Sequence, residues 1–342
     1  MKLIKNYNVS ADLIRILAAF FVVFSHSTDR FVLYTILKDS TAWNIIYYMN
    51  TLSRVAVPLF IILSGYLLLN KEKITNTKNF YIKRVSRILY PFIIWLTIYY
   101  GWTIYWDQTK LTPGFILQTL WTGNIWHLYF LIIILELYLL TPCLERFKTK
   151  KQQTVLFWSL LALSIFCSLL TIFHIDVKNY SLTMFIPYIS LFFAGAYLRD
   201  LKVTKLWTII FFVFYLSLAF ITNKIANGNM STMIVYNYSP TLLPMTICLF
   251  LALKNFHKNF GTKLLTGPLE KVIAYIGRLT FGIYLLHFLV LDLVLKDLHL
   301  LPWELHAPLI LWACVPSIIT FIISFIVIAF IKKLPYSYYL IG

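Results

Sequence analysis

Ten apolar runs, each about as long as a bilayer is thick, divide this chain of 342 residues. They cover residues 13–34, 45–69, 88–106, 126–142, 153–173, 182–198, 205–223, 234–253, 272–295 and 308–331. Inside a bilayer a helix satisfies its own backbone polar groups, so runs of this length predict transmembrane helices. The sequence therefore predicts an all-α, polytopic membrane protein with about ten transmembrane helices. No connecting loop is long enough for a second domain, and residues 1–342 are expected to form a single transmembrane domain.

The distribution of charge gives these helices a direction. Charged residues make up 13% of the chain, whereas soluble proteins contain about a quarter. Most of the 30 lysines and arginines fall in alternate connecting segments, and the positive-inside rule then predicts cytoplasmic termini, with odd-numbered spans running outward. We expect a multi-pass protein of a bacterial plasma membrane. Because the net charge of +17 lies in these segments, the lipid bilayer is an expected partner and nucleic acid is not.

The first predicted span carries ionisable residues that a simple membrane anchor does not need. Asp12 and Arg15 lie near its cytoplasmic end, and His26 lies eleven residues beyond Arg15. At 3.6 residues per turn, Arg15 and His26 share one helix face roughly 16 Å apart, and Asp12 can pair with Arg15. Ionisable residues within a span indicate a functional site. The alternatives are that Arg15 extends to the lipid headgroups and that His26 is a packing residue.

Further polar residues fall into two tiers across the other spans. The cytoplasmic tier contains Arg84 and Arg87, with Glu136 a little deeper, and the outer tier contains Arg54 and His287. Arg84 and Arg87 are either functional or simply topology signals. Glu136 is either functional or a structural partner of an arginine, and a structural role is favoured over a catalytic one for His287. No metal site is expected, because the four cysteines are widely spaced and form no C-x-x-C pair.

These tiers suit a long donor molecule that enters from the cytosol. Guanidinium groups bind phosphates in a bidentate manner, and a histidine can remove a proton from a hydroxyl near neutral pH. A donor that anchors its phosphates at the cytoplasmic tier and extends toward His26 would fit acyl transfer from a coenzyme A thioester. The same pattern would also fit a transporter of an anionic solute.

Six motifs follow one another along the chain. They are Asp12-Leu-Ile-Arg15 with His26, Ser53-Arg54-Val-Ala-Val-Pro58 with Ser64-Gly65-Tyr66, Arg84-Val-Ser-Arg87 with Pro91, Trp126-His127-Leu-Tyr-Phe130 with Leu139-Leu-Thr-Pro142, Phe193-Ala-Gly195-Ala-Tyr197-Leu, and Phe281-Gly282-Ile-Tyr284-Leu-Leu-His287. In this order they resemble the acyltransferase-3 family of integral membrane acyltransferases, particularly the branch that O-acetylates surface polysaccharides.

The resemblance implies an acyl-CoA donor, acetyl-CoA by default, and a carbohydrate acceptor, either free or lipid-linked. It implies that His26 is catalytic with Arg15 as its functional partner, and that Arg84 and Arg87 bind the donor or are structural.

From the residues themselves, we expect Asp12 to orient Arg15. We also expect Arg54, Glu136 and His287 to contact the acceptor. His26 would act as general base or carry the acyl group transiently, and the sequence leaves both routes open. The alternative function is a transporter or flippase of an anionic or polyprenyl-linked solute.

Overall fold

The computed structural model describes residues 8–34, 40–69, 76–108, 110–172, 181–226, 240–261, 267–296 and 309–342. Over these residues the chain is helical and contains no strand. Its α-helices are α1 (Val9–Tyr34), α2 (Thr41–Ser53), α3 (Ala56–Leu68), α4 (Thr77–Asp107), α5 (Pro113–Thr122), α6 (Tyr129–Leu144), α7 (Lys150–Ile172), α8 (Ile189–Tyr197), α9 (Lys205–Ala226), α10 (Leu242–Lys254), α11 (Pro268–Lys296), α12 (Leu309–Ile331) and α13 (Ser337–Ile341). In this part of the chain, eight helical segments are long and apolar enough to cross a membrane. The prediction of an all-α polytopic membrane protein is confirmed.

The ten predicted spans all coincide with helices of the described chain, although two are short. The sixth consists of 3-10 turns followed by α8, and together they cover only Ser181–Tyr197. The eighth corresponds to α10, which has 13 residues. Its predicted start, residues 234–239, lies outside the described residues. The cytoplasmic location of the termini stays a prediction.

The second predicted span is broken at Arg54 and Val55, between α2 and α3. Pro58 explains the break, because proline has no backbone N–H to donate to the carbonyl of Arg54, four residues earlier, and its ring crowds that carbonyl. The helix resumes with the N–H of Leu59 donating to the carbonyl of Val55 at 2.8 Å. Arg54 thus occupies a helix end within a predicted membrane span.

Two short helices were not predicted. The first, α5, lies in the expected outer loop and is capped by Thr112, whose hydroxyl accepts from the N–H of Phe115 at 3.2 Å. Pro113 then occupies its first turn, where a missing N–H costs nothing, and Gly123 ends it at φ +68°. The second, α13, follows α12 near the C-terminus.

The described residues pack into two compact units, the first formed by Met1–Leu63 with Asp200–Ala329. In this first unit α1 packs along α11. Asp12 of α1 lies against Gly277, and His26 further along lies against His287. Both pairs progress in the same chain direction, so the two helices are parallel, as expected for the first and ninth spans. The prediction of a single domain over residues 1–342 stays a prediction.

Side-chain hydrogen bonds also tie α9 to the α2 segment in the first unit. The Tyr48 hydroxyl donates to the carbonyl of Leu216 at 3.0 Å, and the Tyr215 hydroxyl donates to the carbonyl of Leu52 at 2.7 Å. These bonds hold the end of α2 that leads into Arg54.

The second unit is formed by Ser64–Arg199 with Phe330–Gly342. In it, α3 crosses α8 at backbone distance, since a Cβ on Gly65 would lie 1.7 Å from the carbonyl oxygen of Phe192. Only glycine can occupy this position. Arg199 donates to the carbonyls of Tyr66 and Leu69, which are among the acceptors left unpaired where α3 ends.

Candidate active site

The N-terminal end of α1, which is predicted to face the cytoplasm, holds the predicted pair of Asp12 and Arg15. An Nη1 hydrogen of Arg15 bonds to Oδ1 of Asp12, whose side chain is 8% exposed, compared with 33% for Arg15. Gly277 of α11 makes room for this carboxylate, because a Cβ there would lie 2.7 Å from Cβ and Oδ1 of Asp12. Arg278 adds a second positive charge near the carboxylate. The pairing of Asp12 with Arg15 is therefore confirmed.

Farther along the same helices, the structure brings two of the predicted residues, His26 and His287, together. Their ring centroids are 5.4 Å apart with an interplanar angle of 31°. His287 is fully buried, and its Nδ1–H donates to the carbonyl of Tyr284 at 2.6 Å. His26 keeps partial exposure and also contacts the ring of Phe288 at 5.7 Å. One imidazole is thus accessible and the other is packed behind it.

A third polar group consists of Asp29, which follows His26 by three residues on α1, and of Asn50 and Arg54. Arg54 forms an ion pair with Asp29, and the side chains are 9% and 19% exposed, respectively. The Nε–H of Arg54 donates to Oδ1 of Asn50 at 3.0 Å, and the Asn50 amide donates to Oδ1 of Asp29 at 3.0 Å. The same amide donates to the hydroxyl of Thr28 at 2.7 Å. We call Asp29, Asn50 and Arg54 the Asp29 cluster.

Asp29 was not among the site residues that the sequence predicted. Asp29 lies within α1, three residues after His26, and this spacing places both on nearly the same helix face. That spacing was a signal that could have identified it. Asn50 and Arg54 lie four residues apart, on α2 and at its C-cap, and this spacing likewise places both on nearly the same helix face. Asp292, buried on α11 five residues after His287, was also missed.

The two predicted donor-binding arginines have different surroundings. Arg84 and Arg87 belong to α4 in the second unit, and both are exposed. Within the described residues neither forms an ion pair with a carboxylate. Arg87 lies four residues before Pro91, which leaves its carbonyl without the usual helical N–H partner.

Glu136 lies on α6 in the second unit and is partly buried. One carboxylate oxygen accepts a hydrogen bond from the backbone N–H of Phe185. Its Oε2 atom is buried and makes no hydrogen bond to any described residue. The alternative of a structural ion pair between Glu136 and an arginine is therefore not observed in the part of the chain that the structure describes.

These features define a helical membrane protein with a paired arginine and a histidine on one predicted transmembrane helix, α1, and a second histidine packed against the first from the parallel helix α11. The model of a family described as an acyltransferase domain matches residues 8–329, which is nearly the whole chain. The chain therefore belongs to the acyltransferase-3 family and is a multi-pass bacterial membrane protein.

Curated relatives share the family and most of their length. The chain is 28% identical over 262 residues to a probable poly-beta-1,6-N-acetyl-D-glucosamine export protein of Staphylococcus aureus strain MRSA252, covering 72% of this chain and 71% of that protein. It is 26% identical over 265 residues to the protein of the same name from strain MSSA476, with the same coverage. No solved structure gives a significant match.

Proposed function

We propose that the protein is an O-acyltransferase that moves an acetyl or similar short acyl group from cytosolic acyl-CoA to a hydroxyl of a cell-surface carbohydrate or its lipid-linked precursor. The observation that carries the proposal is the partly exposed His26, packed against the buried His287 on two parallel helices of an acyltransferase-family chain. An imidazole in an otherwise apolar span is costly, and proton transfer is the chemistry for which it is suited.

In the proposed reaction, a ring nitrogen of His26 takes the proton of the acceptor hydroxyl while the oxygen attacks the thioester carbonyl. The bond from carbon to sulfur then breaks, the new ester bond remains on the acceptor, and the thiolate of coenzyme A takes up the proton. In the second route, His26 itself bonds to the acyl carbon as the carbon–sulfur bond breaks and coenzyme A leaves as the thiolate. The acceptor oxygen then takes the acyl group from His26, and the hydroxyl proton goes to that thiolate. We propose that His287 is a positioning residue, since the ring contact restricts the rotation of His26.

The charged residues near the cytoplasmic end would serve the donor. Arg15 would hold the donor or stabilise negative charge on it, and Asp12 would orient Arg15 through their ion pair. Arg84 and Arg87 would bind the phosphates of coenzyme A. Their exposure and lack of carboxylate partners among the described residues fit this role. A guanidinium already paired with a carboxylate has fewer N–H donors left for a phosphate.

Three residues are proposed to serve the acceptor. Arg54 would contact a phosphate or carboxylate of the acceptor, and its guanidinium is held by the Asp29 cluster, in which Asp29 follows His26 by three residues on α1. Glu136, in the second unit, stays a separate predicted contact with the acceptor, and its buried Oε2 atom has no hydrogen-bond partner among the described residues. His287 is fully buried behind His26, so it would act on the acceptor only through His26. The relatives named for poly-beta-1,6-N-acetyl-D-glucosamine support a carbohydrate as the acceptor class.

The name of those relatives also favours a second candidate, export of a polysaccharide or of its lipid-linked precursor. In that case His26 and the arginines would bind the solute during transport rather than activate a hydroxyl. The two functions differ in whether an acyl donor is consumed.

The test is transfer of label from acetyl-CoA to envelope carbohydrate in membranes that contain wild type, His26→Ala, or no protein. General acid–base catalysis contributes about 100- to 10,000-fold, so we expect His26→Ala to remove transfer almost completely at matched expression. His257→Ala is the matched control, because His257 pairs with Glu270 outside α1 and should leave transfer unchanged.

Equal labelling by wild type and His26→Ala would exclude His26 from the chemistry. If wild type gives no label but moves polysaccharide into vesicles without a donor, export replaces acyl transfer as the function.

A further inference from the structure

The C-terminal segment lies along α4 within the second unit. The indole N–H of Trp95 donates to the carbonyl of Leu340 at 2.8 Å. Nearer the start of α4, the hydroxyls of Ser86 and Tyr338 are 3.3 Å apart, and the rings of Tyr90 and Tyr339 meet edge to face at 5.3 Å. These contacts hold α13 against the part of α4 that carries Arg84 and Arg87.

Five exposed cations lie on the two segments that form this contact, α4 and residues 330–342. They are Lys83, Arg84, Arg87, Lys332 and Lys333. Neither residues 76–106 nor residues 330–342 contain an acidic residue. Among the described residues, none of the five forms an ion pair with a carboxylate. The region therefore keeps an uncompensated positive charge that suits an anionic ligand.

Three exposed tyrosines lie in the same C-terminal segment. Tyr336 is 79% exposed, Tyr338 43% and Tyr339 44%. Tyr336 adopts φ +64°, a left-handed conformation that is unfavourable for a bulky side chain, and it immediately precedes α13. Tyr339 is ordered by its contact with Tyr90. The chain thus presents aromatic faces beside the cations.

We propose that this basic–tyrosine surface (Lys83, Arg84, Arg87, Lys332, Lys333, Tyr336, Tyr338 and Tyr339) binds the nucleotide end of the acyl-CoA donor. The cations would bind its phosphates, and the rings of Tyr336 and Tyr339 would both contact its adenine. The guanidinium group of arginine binds phosphate oxygens in a bidentate manner, and aromatic rings stack on any base. The inference rests on the proposed function for the choice of nucleotide. It adds Tyr336 and Tyr339 as a subsite that binds the base.

A lipid headgroup offers the same phosphate chemistry, and tyrosine and basic residues are common at membrane interfaces. The base distinguishes the two ligands, because a headgroup has no purine to stack. A stacking tyrosine should tolerate phenylalanine and not leucine, since phenylalanine keeps the aromatic face. A lipid contact made through the hydroxyl would be lost in both variants, since neither phenylalanine nor leucine has a hydroxyl.

The experiment measures binding of adenosine 3′,5′-bisphosphate to the purified full-length protein in zwitterionic nanodiscs by calorimetry. We expect Tyr336→Leu and Tyr339→Leu each to weaken binding by about tenfold, and the phenylalanine variants to bind like wild type. Tyr105→Leu is the matched control, since Tyr105 is 75% exposed on the far part of α4. Tyr336 has the most exposed ring of the three, so its variants keep the test valid if Tyr339→Leu folds poorly.

The probe carries no acyl group, so its binding is independent of whether acyl transfer occurs. Where transfer does occur, Tyr336→Leu should raise the KM for acetyl-CoA and leave the KM for S-acetyl-pantetheine, which lacks the nucleotide, unchanged. Leucine variants that bind the probe like wild type would overturn the proposal. So would wild type that ignores the probe but binds vesicles containing anionic lipid through the same tyrosines.

Discussion

The Asp29 cluster and the basic–tyrosine surface differ in how their positive charges are paired and exposed. In the cluster, Arg54 is nearly buried and is matched by a carboxylate and an amide of the chain itself. On the surface, Arg84 and Arg87 are exposed and have no carboxylate partner among the described residues. The first arrangement uses charge to fix the protein's own geometry. The second leaves charge available for a ligand, and the difference predicts how substitutions in the two regions should behave.

A double-mutant cycle on Asp29 and Arg54 should give the largest change in stability. Removing one member leaves the other charge poorly paired in a low-dielectric region, so we expect Asp29→Asn or Arg54→Gln each to lower the free energy of unfolding by roughly 2–3 kcal/mol. The double variant should lose less than the sum. Unfolding in mixed detergent micelles measures all four forms, and strictly additive losses would show that the pair does not stabilise the fold.

Gly277→Ala tests the packing beneath the other ion pair of α1. The new Cβ would lie 2.7 Å from Asp12, so the carboxylate must move, at an expected cost of about 1–3 kcal/mol. Gly101→Ala on α4 is the matched control, because its Cβ would meet nothing within 4 Å and should be neutral or stabilising by up to about 1 kcal/mol. Thermal unfolding of both variants provides the comparison. Similar losses would mean that the Asp12 contact is not what makes glycine necessary.

Arg87→Gln should have the smallest effect on stability and a visible effect on the donor. Surface substitutions usually change the free energy of unfolding by less than about 0.5 kcal/mol. Losing a charged hydrogen bond to phosphate should raise the donor KM about tenfold, with kcat little changed. The wild-type KM should also rise with ionic strength, because exposed charges are screened.

Arg146→Gln removes one exposed positive charge elsewhere and serves as the control for net charge. If it raises the donor KM as much as Arg87→Gln does, the effect reflects overall charge rather than a site on α4.

The sequence predicted those features that depend on spacing along one helix. The apolar runs located the spans, and the three- and eleven-residue spacings placed Asp12, Arg15 and His26 on α1. The contact between His26 and His287 needed the register of α1 against α11, which no local pattern specifies. The pairing of Asp29 with Arg54 likewise depends on where α2 lies against α1. The seating of α13 on α4 depends on a turn after Ile331 and could not be read from hydropathy.

Helix α1 runs without a break from Val9 to Tyr34, so it sets a fixed distance between the residues along it. The second predicted span breaks beside Arg54, but α1 continues through Arg15 and His26 without interruption, which fixes their separation at roughly 16 Å along the axis. In the proposed reaction, a donor held at the cytoplasmic end must deliver its carbonyl to His26 across that length. The protein would then select donors by the length of the segment between the group that Arg15 holds and the thioester, independently of how tightly either end is bound.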